Sequence, residues 1–106
     1  MTDILAALAA TISARRGTDP KTSYTASLLD KGVEKCAEKF GEEAIEAIIA
    51  ATRRDPDNLR AEAADVLYHL QVLLAAGGVP WDDVLAELAA REGTSGHDEK
   101  AARRDA

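Results

Sequence analysis

The sequence predicts an all-α fold, an antiparallel bundle of four to five helices. Apolar residues recur at three- and four-residue spacing through most of the chain, and no segment shows the strict alternation of a half-buried strand. Alanine supplies much of the 46% apolar content, and aromatic residues make up only 4%. Because such small side chains bury little area each, the core of a single copy is thin, which favours oligomerisation.

The length of 106 residues suits one domain. We assign residues 1–92 to a helical domain and 93–106 to a polar segment whose composition is typical of a flexible tail. The net charge of −6 argues against binding nucleic acid or an anionic membrane through a basic face. We find neither a transmembrane segment nor a signal peptide, and the single Cys36 forms no internal disulfide. A cytoplasmic protein is therefore predicted.

The first two predicted helices are short. Thr2 or Asp3 can cap a helix that reaches about Arg16, with Gly17 ending it. After a polar loop that contains a proline, a second helix opens at Ser23-Tyr24-Thr25 and runs to Lys31. Gly32 then kinks or breaks the chain before the next helix.

Two long helices follow, joined by a turn. The first runs to about Arg54, and Asp55-Pro56-Asp57-Asn58 reads as a turn with its own capping residues. The second continues to Ala76, where Gly77-Gly78 stops it. A last helix follows Pro80, with Trp81 as a core anchor.

The two long helices each carry a pair of carboxylates. Glu43 and Glu46 are spaced i, i+3, as are Glu62 and Asp65, so each pair shares a helix face. A hairpin would bring all four together. On a helical wheel Glu62, Asp65 and His69 fall within an apolar arc, and an unpaired buried charge loses several kcal/mol of solvation. A cation is therefore expected there; the alternative, solvated surface charges, fits the first pair but not the second.

Four carboxylates without cysteine favour Mg²⁺, or Mn²⁺, over zinc or copper. Such a site can draw in a polyphosphate and polarise a phosphorus atom for attack by water. Lys39 shares the face of the first carboxylate pair, so it either binds phosphate or forms an ion pair with a neighbouring glutamate; Lys35, one turn earlier, stays unassigned between the two. His69 either contacts a carboxylate or the leaving group, or is a core histidine. A di-iron bundle is a poor match because its Glu-x-x-His motif is missing.

The pattern E-x-x-E, spacer, E-x-x-D resembles that of the all-α nucleotide pyrophosphohydrolase superfamily, which includes the MazG-like enzymes. Three further stretches are similar to those of the phosphoribosyl-ATP pyrophosphohydrolase family. They are Ser23-Tyr24-Thr25-Ala26-Ser27-Leu28-Leu29 with Gly32, then Glu38-Lys39-Phe40-Gly41-Glu42-Glu43, and Arg91-Glu92-Gly93-Thr94-Ser95-Gly96 with Glu99-Lys100 and Arg103. The resemblance spans nearly the whole chain, with Phe40 in place of a small aliphatic residue.

This resemblance implies Mg²⁺-dependent hydrolysis of 1-(5-phosphoribosyl)-ATP between its α and β phosphates, the second step of histidine biosynthesis. It also implies a homodimer whose helices complete a four-helix bundle and share the active site. The metal ligands would be the four carboxylates, and the C-terminal segment would fold over the substrate or the partner subunit. The expected substrate contacts are Lys35, Lys39, His69, Ser95, Lys100 and Arg103.

Two other functions fit the same carboxylates. One is a MazG-like house-cleaning hydrolase of noncanonical nucleoside triphosphates, which substrate preference would distinguish. The other is a non-enzymatic helical dimerisation module, in which Glu62→Gln would be tolerated because it removes buried like charge.

Overall fold

The computed structural model describes residues 3–93 together with Gly96, Lys100 and Arg103. Within these residues the chain forms five helices and no strand, so the all-α prediction is confirmed. None of the described helices combines the length and the apolar character needed to cross a bilayer. The helices are α1 (Ile4–Arg15), α2 (Tyr24–Lys31), α3 (Val33–Thr52), α4 (Pro56–Ala76) and α5 (Trp81–Arg91).

Three helices begin at residues whose side chains cap them. The carboxylate of Asp3 accepts a hydrogen bond from the backbone of Ala6, and Ser23 caps α2 in the same way. Asp55 caps α4 by accepting from the backbone N–H of Asn58. The predicted turn from Asp55 to Asn58 is therefore too long, because α4 already begins at Pro56. A proline suits the first turn of a helix.

Helices α3 and α4 form an antiparallel hairpin with the most extensive packing in the molecule. The connection is short: Arg54 has a φ of 58°, and the backbone N–H of Asp55 bonds to the carbonyl of Ala50. Gly32, at a φ of 96°, separates α2 from α3, and this left-handed conformation favours glycine. The hairpin brings the carboxylate pairs of its two helices side by side.

The core lies where the first four helices meet and is small. Its buried members are Ile12, Leu28, Cys36 and Val72, one from each of α1 to α4. The apolar residues of α4 are not all buried, because Leu67 remains exposed. On α3, Ile45 and Ile48 are 58% and 61% exposed. A single copy of the chain thus leaves apolar surface uncovered along the hairpin.

Candidate active site

The hairpin brings three carboxylates together. One oxygen each from Glu43 of α3 and from Glu62 and Asp65 of α4 lies within 4.8 Å of the other two. We call these three residues the acidic cluster. Glu43 and Glu62 are half-buried, whereas Asp65 is exposed, so the cost of a buried charge that was expected within the apolar arc of α4 does not apply to Asp65. Glu46 is exposed and lies beside the cluster, close enough to interact with both glutamates.

The acidic cluster is electrostatically costly without a cation. Burial raises the pKa of Glu43, and the nearby carboxylate of Glu46 adds to the effect. Burial likewise raises the pKa of Glu62, again reinforced by Glu46. The Oε2 atom of Glu62 is buried and has no hydrogen-bond partner in the described part of the chain. A buried carboxylate oxygen without a donor, in a set of oxygen ligands only, fits a hard divalent cation.

Both candidate phosphate-binding lysines form ion pairs along α3. The ammonium of Lys39 lies 3.0 Å from Glu42, and that of Lys35 lies 3.3 Å from Glu38. The hydrogen bond and charge of Glu42 raise the pKa of Lys39, with smaller contributions from Tyr24 and Glu43. Lys39 is therefore a cation held next to the acidic cluster, whereas Lys35 is one turn further away.

His69 is a buried residue of α4, with only 6% of its surface exposed. Its Nδ1 atom lies 2.9 Å from the backbone carbonyl oxygen of Asp65. Because a carbonyl oxygen can only accept, Nδ1 carries the hydrogen, and in the neutral ring Nε2 presents a lone pair. Nε2 is buried without a hydrogen-bond partner among the described residues. His69 acts electrostatically on Glu43, so the ring lies next to the acidic cluster.

The expected substrate contacts in the C-terminal segment are only partly described. Lys100 and Arg103 are exposed, and Ser95 lies outside the described residues.

Sequence reasoning missed an aromatic group beside the acidic cluster. The rings of Tyr24 and Tyr68 are nearly parallel, with centroids 6.5 Å apart, and Tyr68 meets His69 edge to face at 4.9 Å. The hydroxyl groups of Thr25 and Tyr68 share a hydrogen bond. The available signal was the Ser23-Tyr24-Thr25 stretch, which the sequence analysis interprets as a helix start and as part of a family resemblance but not as a binding feature.

Comparison with known proteins finds one family over most of the chain. The family model described as "Phosphoribosyl-ATP pyrophosphohydrolase" matches residues 5–92. A "Phosphoribosyl-ATP pyrophosphatase" of Rhodobacter capsulatus is 67% identical over 99 residues, 93% of this chain and 96% of that protein. Proteins of the same name from Cereibacter sphaeroides and Ruegeria pomeroyi are 64% and 67% identical over 100 residues. Those alignments cover 94% of this chain, and 97% and 95% of the two proteins.

Proposed function

The chain belongs to the phosphoribosyl-ATP pyrophosphohydrolase family, and from this premise we propose how its residues carry out that family's reaction. Its activity is that of a phosphoribosyl-ATP pyrophosphatase in histidine biosynthesis. The substrate is 1-(5-phosphoribosyl)-ATP, and the products are 1-(5-phosphoribosyl)-AMP and pyrophosphate. The observation that supports our proposal of where this activity resides is the convergence of Glu43, Glu62 and Asp65.

Glu43, Glu62 and Asp65 are proposed to hold Mg²⁺, with Glu46 as a fourth carboxylate at the same site. Support comes from the spacing of their oxygens and from the unsatisfied Oε2 atom of Glu62. Oxygen ligands alone suit Mg²⁺ or Mn²⁺ rather than softer metals. When bound, the metal ion neutralises the cluster and polarises a substrate phosphate.

The protein's own groups bind the polyphosphate and move the proton. Lys39 is the cation closest to the acidic cluster on α3, and we assign it to the phosphate chain, with Lys35 further out. Glu46, exposed beside Glu43 and Glu62, accepts a proton from the attacking water. The water oxygen bonds to phosphorus, the P–O bond that links the α and β phosphates breaks, and pyrophosphate leaves. His69 is proposed to contact the substrate through Nε2.

The C-terminal segment is proposed to complete the substrate site. Ser95, Lys100 and Arg103 supply one hydroxyl and two cations to a chain whose net charge is −6. Local cations of this kind are needed because a polyphosphate is otherwise repelled by an acidic protein.

A homodimer is proposed to form through the hairpin. Several of the exposed apolar side chains lie on α3 and α4, the two helices that also carry the acidic cluster. Packing two such hairpins face to face gives a four-helix bundle and places the partner next to each site. The apolar residues that support this interface are Ile45, Ile48, Ile49 and Leu67.

The test is release of pyrophosphate in the presence of Mg²⁺. We expect strong preference for phosphoribosyl-ATP over a panel of ordinary and modified nucleoside triphosphates. Glu62→Gln should lower kcat by at least about a hundredfold, since a lost transition-state contact to a metal-held group costs several kcal/mol. Asp57→Asn is the matched control, because Asp57 is an exposed carboxylate of the same helix paired with Arg60. Equal rates for Glu62→Gln and wild type would refute the proposed site.

A further inference from the structure

Tyr24 is a large aromatic residue with 56% of its surface exposed, at the first position of α2. One side of its ring faces Tyr68, with an angle of 21° between the ring planes. Its ring centroid also lies 6.4 Å from that of His69, at 76°. The Tyr24 ring is therefore backed by two other rings while much of its own surface faces solvent.

The rings behind Tyr24 are held in place. The hydroxyl of Tyr68 shares a hydrogen bond with Thr25, which links α2 to α4. Nδ1 of His69 is bonded to the backbone of its own helix. A ring supported in this way is preorganised, so a ligand that stacks on it loses little free energy to the ordering of side chains.

The exposed ring adjoins the proposed phosphate site. His69 lies one turn after Asp65, and its charge lowers the pKa of Glu43. The ring of His69 therefore lies between the acidic cluster and the two tyrosine rings. Tyr24 is also close enough to Lys39 to raise the pKa of its ammonium group. A nucleotide whose phosphates lie between Lys39 and the acidic cluster would extend its base past His69 toward Tyr24.

We propose that the exposed ring of Tyr24 stacks on the purine of the bound nucleotide and thereby positions the triphosphate. The inference rests on the proposed function, which places the phosphates at the acidic cluster. The purine is the only part of phosphoribosyl-ATP with an aromatic face. Stacking of a base on an aromatic side chain is tolerant of chemical detail but requires the ring.

The test compares Tyr24→Phe and Tyr24→Leu in steady-state kinetics. Leucine keeps apolar area but removes the aromatic face, so KM for phosphoribosyl-ATP should rise about tenfold, or ~1.4 kcal/mol. Phenylalanine should restore a KM near the wild-type value. Inhibition by inorganic tripolyphosphate with Mg²⁺, which has phosphates but no base, should be the same for both variants. Ile4→Ala is the matched control, because Ile4 is likewise an exposed apolar residue that opens a helix.

Three results would overturn the inference. An unchanged KM in Tyr24→Leu would show that the ring contributes nothing to substrate binding. Weaker inhibition by tripolyphosphate would place Tyr24 at the phosphates. If Tyr24→Leu failed to form the oligomer that the wild-type protein forms, the ring would be a contact to the partner subunit.

Failure of the proposed function is distinguished by a binding measurement. If wild-type protein released no pyrophosphate from phosphoribosyl-ATP, the proposed function would fail. The role of Tyr24 would still be decided by calorimetric binding of ATP and of inorganic tripolyphosphate, each with Mg²⁺. We expect Tyr24→Leu to weaken the binding of ATP but not that of tripolyphosphate, which has no base. Unchanged binding of ATP would reject the inference.

Discussion

Glu43 and Glu62 lie on antiparallel helices and approach each other until two of their carboxylate oxygens are within 4.8 Å. In the sequence they lie 19 positions apart, on either side of the turn that joins the two helices. Two like charges at this distance, both half-buried, are destabilising unless a cation or a proton lies between them. Expectations for metal binding and for pH dependence follow from this single contact.

Mg²⁺ should stabilise the folded protein. A ligand that binds only the folded state at 100 times its Kd stabilises it by about 2.7 kcal/mol. For a domain of this size that corresponds to a rise in Tm of roughly 10–20 °C. Differential scanning fluorimetry with and without Mg²⁺ measures it. Glu62→Gln should lose most of the increase, and Asp57→Asn should keep it; an equal increase in both variants would place the metal elsewhere.

Glu62 should make the metal-free protein less stable at neutral pH than at mildly acid pH. Burial raises the pKa of Glu62 in the folded state above its value in the unfolded chain. Between those two pKa values the folded state binds more protons, so the free energy of unfolding falls as pH rises through that window. Without metal, Glu62→Gln should therefore gain Tm over wild type at pH 7 and lose that gain near pH 4. A gain that did not vary with pH would contradict this origin.

As the pH is lowered, the affinity for Mg²⁺ should begin to weaken at a higher pH than it would for glutamates with ordinary pKa values. Protons compete with the metal ion for carboxylates, and the pKa values of Glu43 and Glu62 are both raised by burial. Isothermal titration calorimetry across pH 5 to 8 measures the affinity. The change of the observed binding enthalpy from one buffer to another measures the protons that are released. A Kd that stayed constant over this range would contradict the prediction.

Introducing charge on the exposed hairpin face should separate the subunits. Ile45→Glu combined with Ile48→Glu places two unpaired carboxylates in the proposed interface, where burial of each costs several kcal/mol. Sedimentation velocity should show monomers at concentrations where wild type is dimeric. Ile4→Glu, on the exposed part of α1, is the control and should leave the dimer intact. Unchanged association of the double variant would reject this interface.

Cys36 should be unreactive toward thiol reagents in the folded protein. Its thiol is buried and donates a hydrogen bond to the carbonyl of Leu28, 3.3 Å away, and burial raises its pKa. The thiolate, which is the reactive form, is therefore disfavoured. Labelling by an aromatic disulfide at pH 8 should be slow and should become fast in urea. Rapid labelling without denaturant would contradict the packing of this core.

Removal of residues from Gly93 onward should impair turnover while leaving the helical dimer intact. The proposed cations Lys100 and Arg103 are lost, whereas the five described helices all end before the cut. We expect kcat/KM to fall by at least about tenfold, as expected for one or two lost charge-assisted contacts. Circular dichroism and sedimentation provide the structural control. Unchanged kinetics would remove the C-terminal segment from the substrate site.

Local signals in the sequence were sufficient for the helices. Asp3, Ser23 and Asp55 cap the helices they were expected to cap or to precede, and Gly32 separates two helices as glycine permits. These features depend on neighbours within a few residues, so periodicity and capping chemistry reveal them. The start of α4 was placed too late because a proline in the first turn reads equally well as part of a loop.

The sequence by itself determined the all-α class, the carboxylate pairs on their helix faces and the family, because each is written in short-range spacing. Only the tertiary structure decided which groups meet across the hairpin. It grouped Glu43 with Glu62 and Asp65 and left Ile45 and Ile48 exposed. It also stacked Tyr24 beside Tyr68, residues on different helices. Contacts of this kind depend on how one helix is rotated against another, and that rotation is set by the packing of many small side chains together.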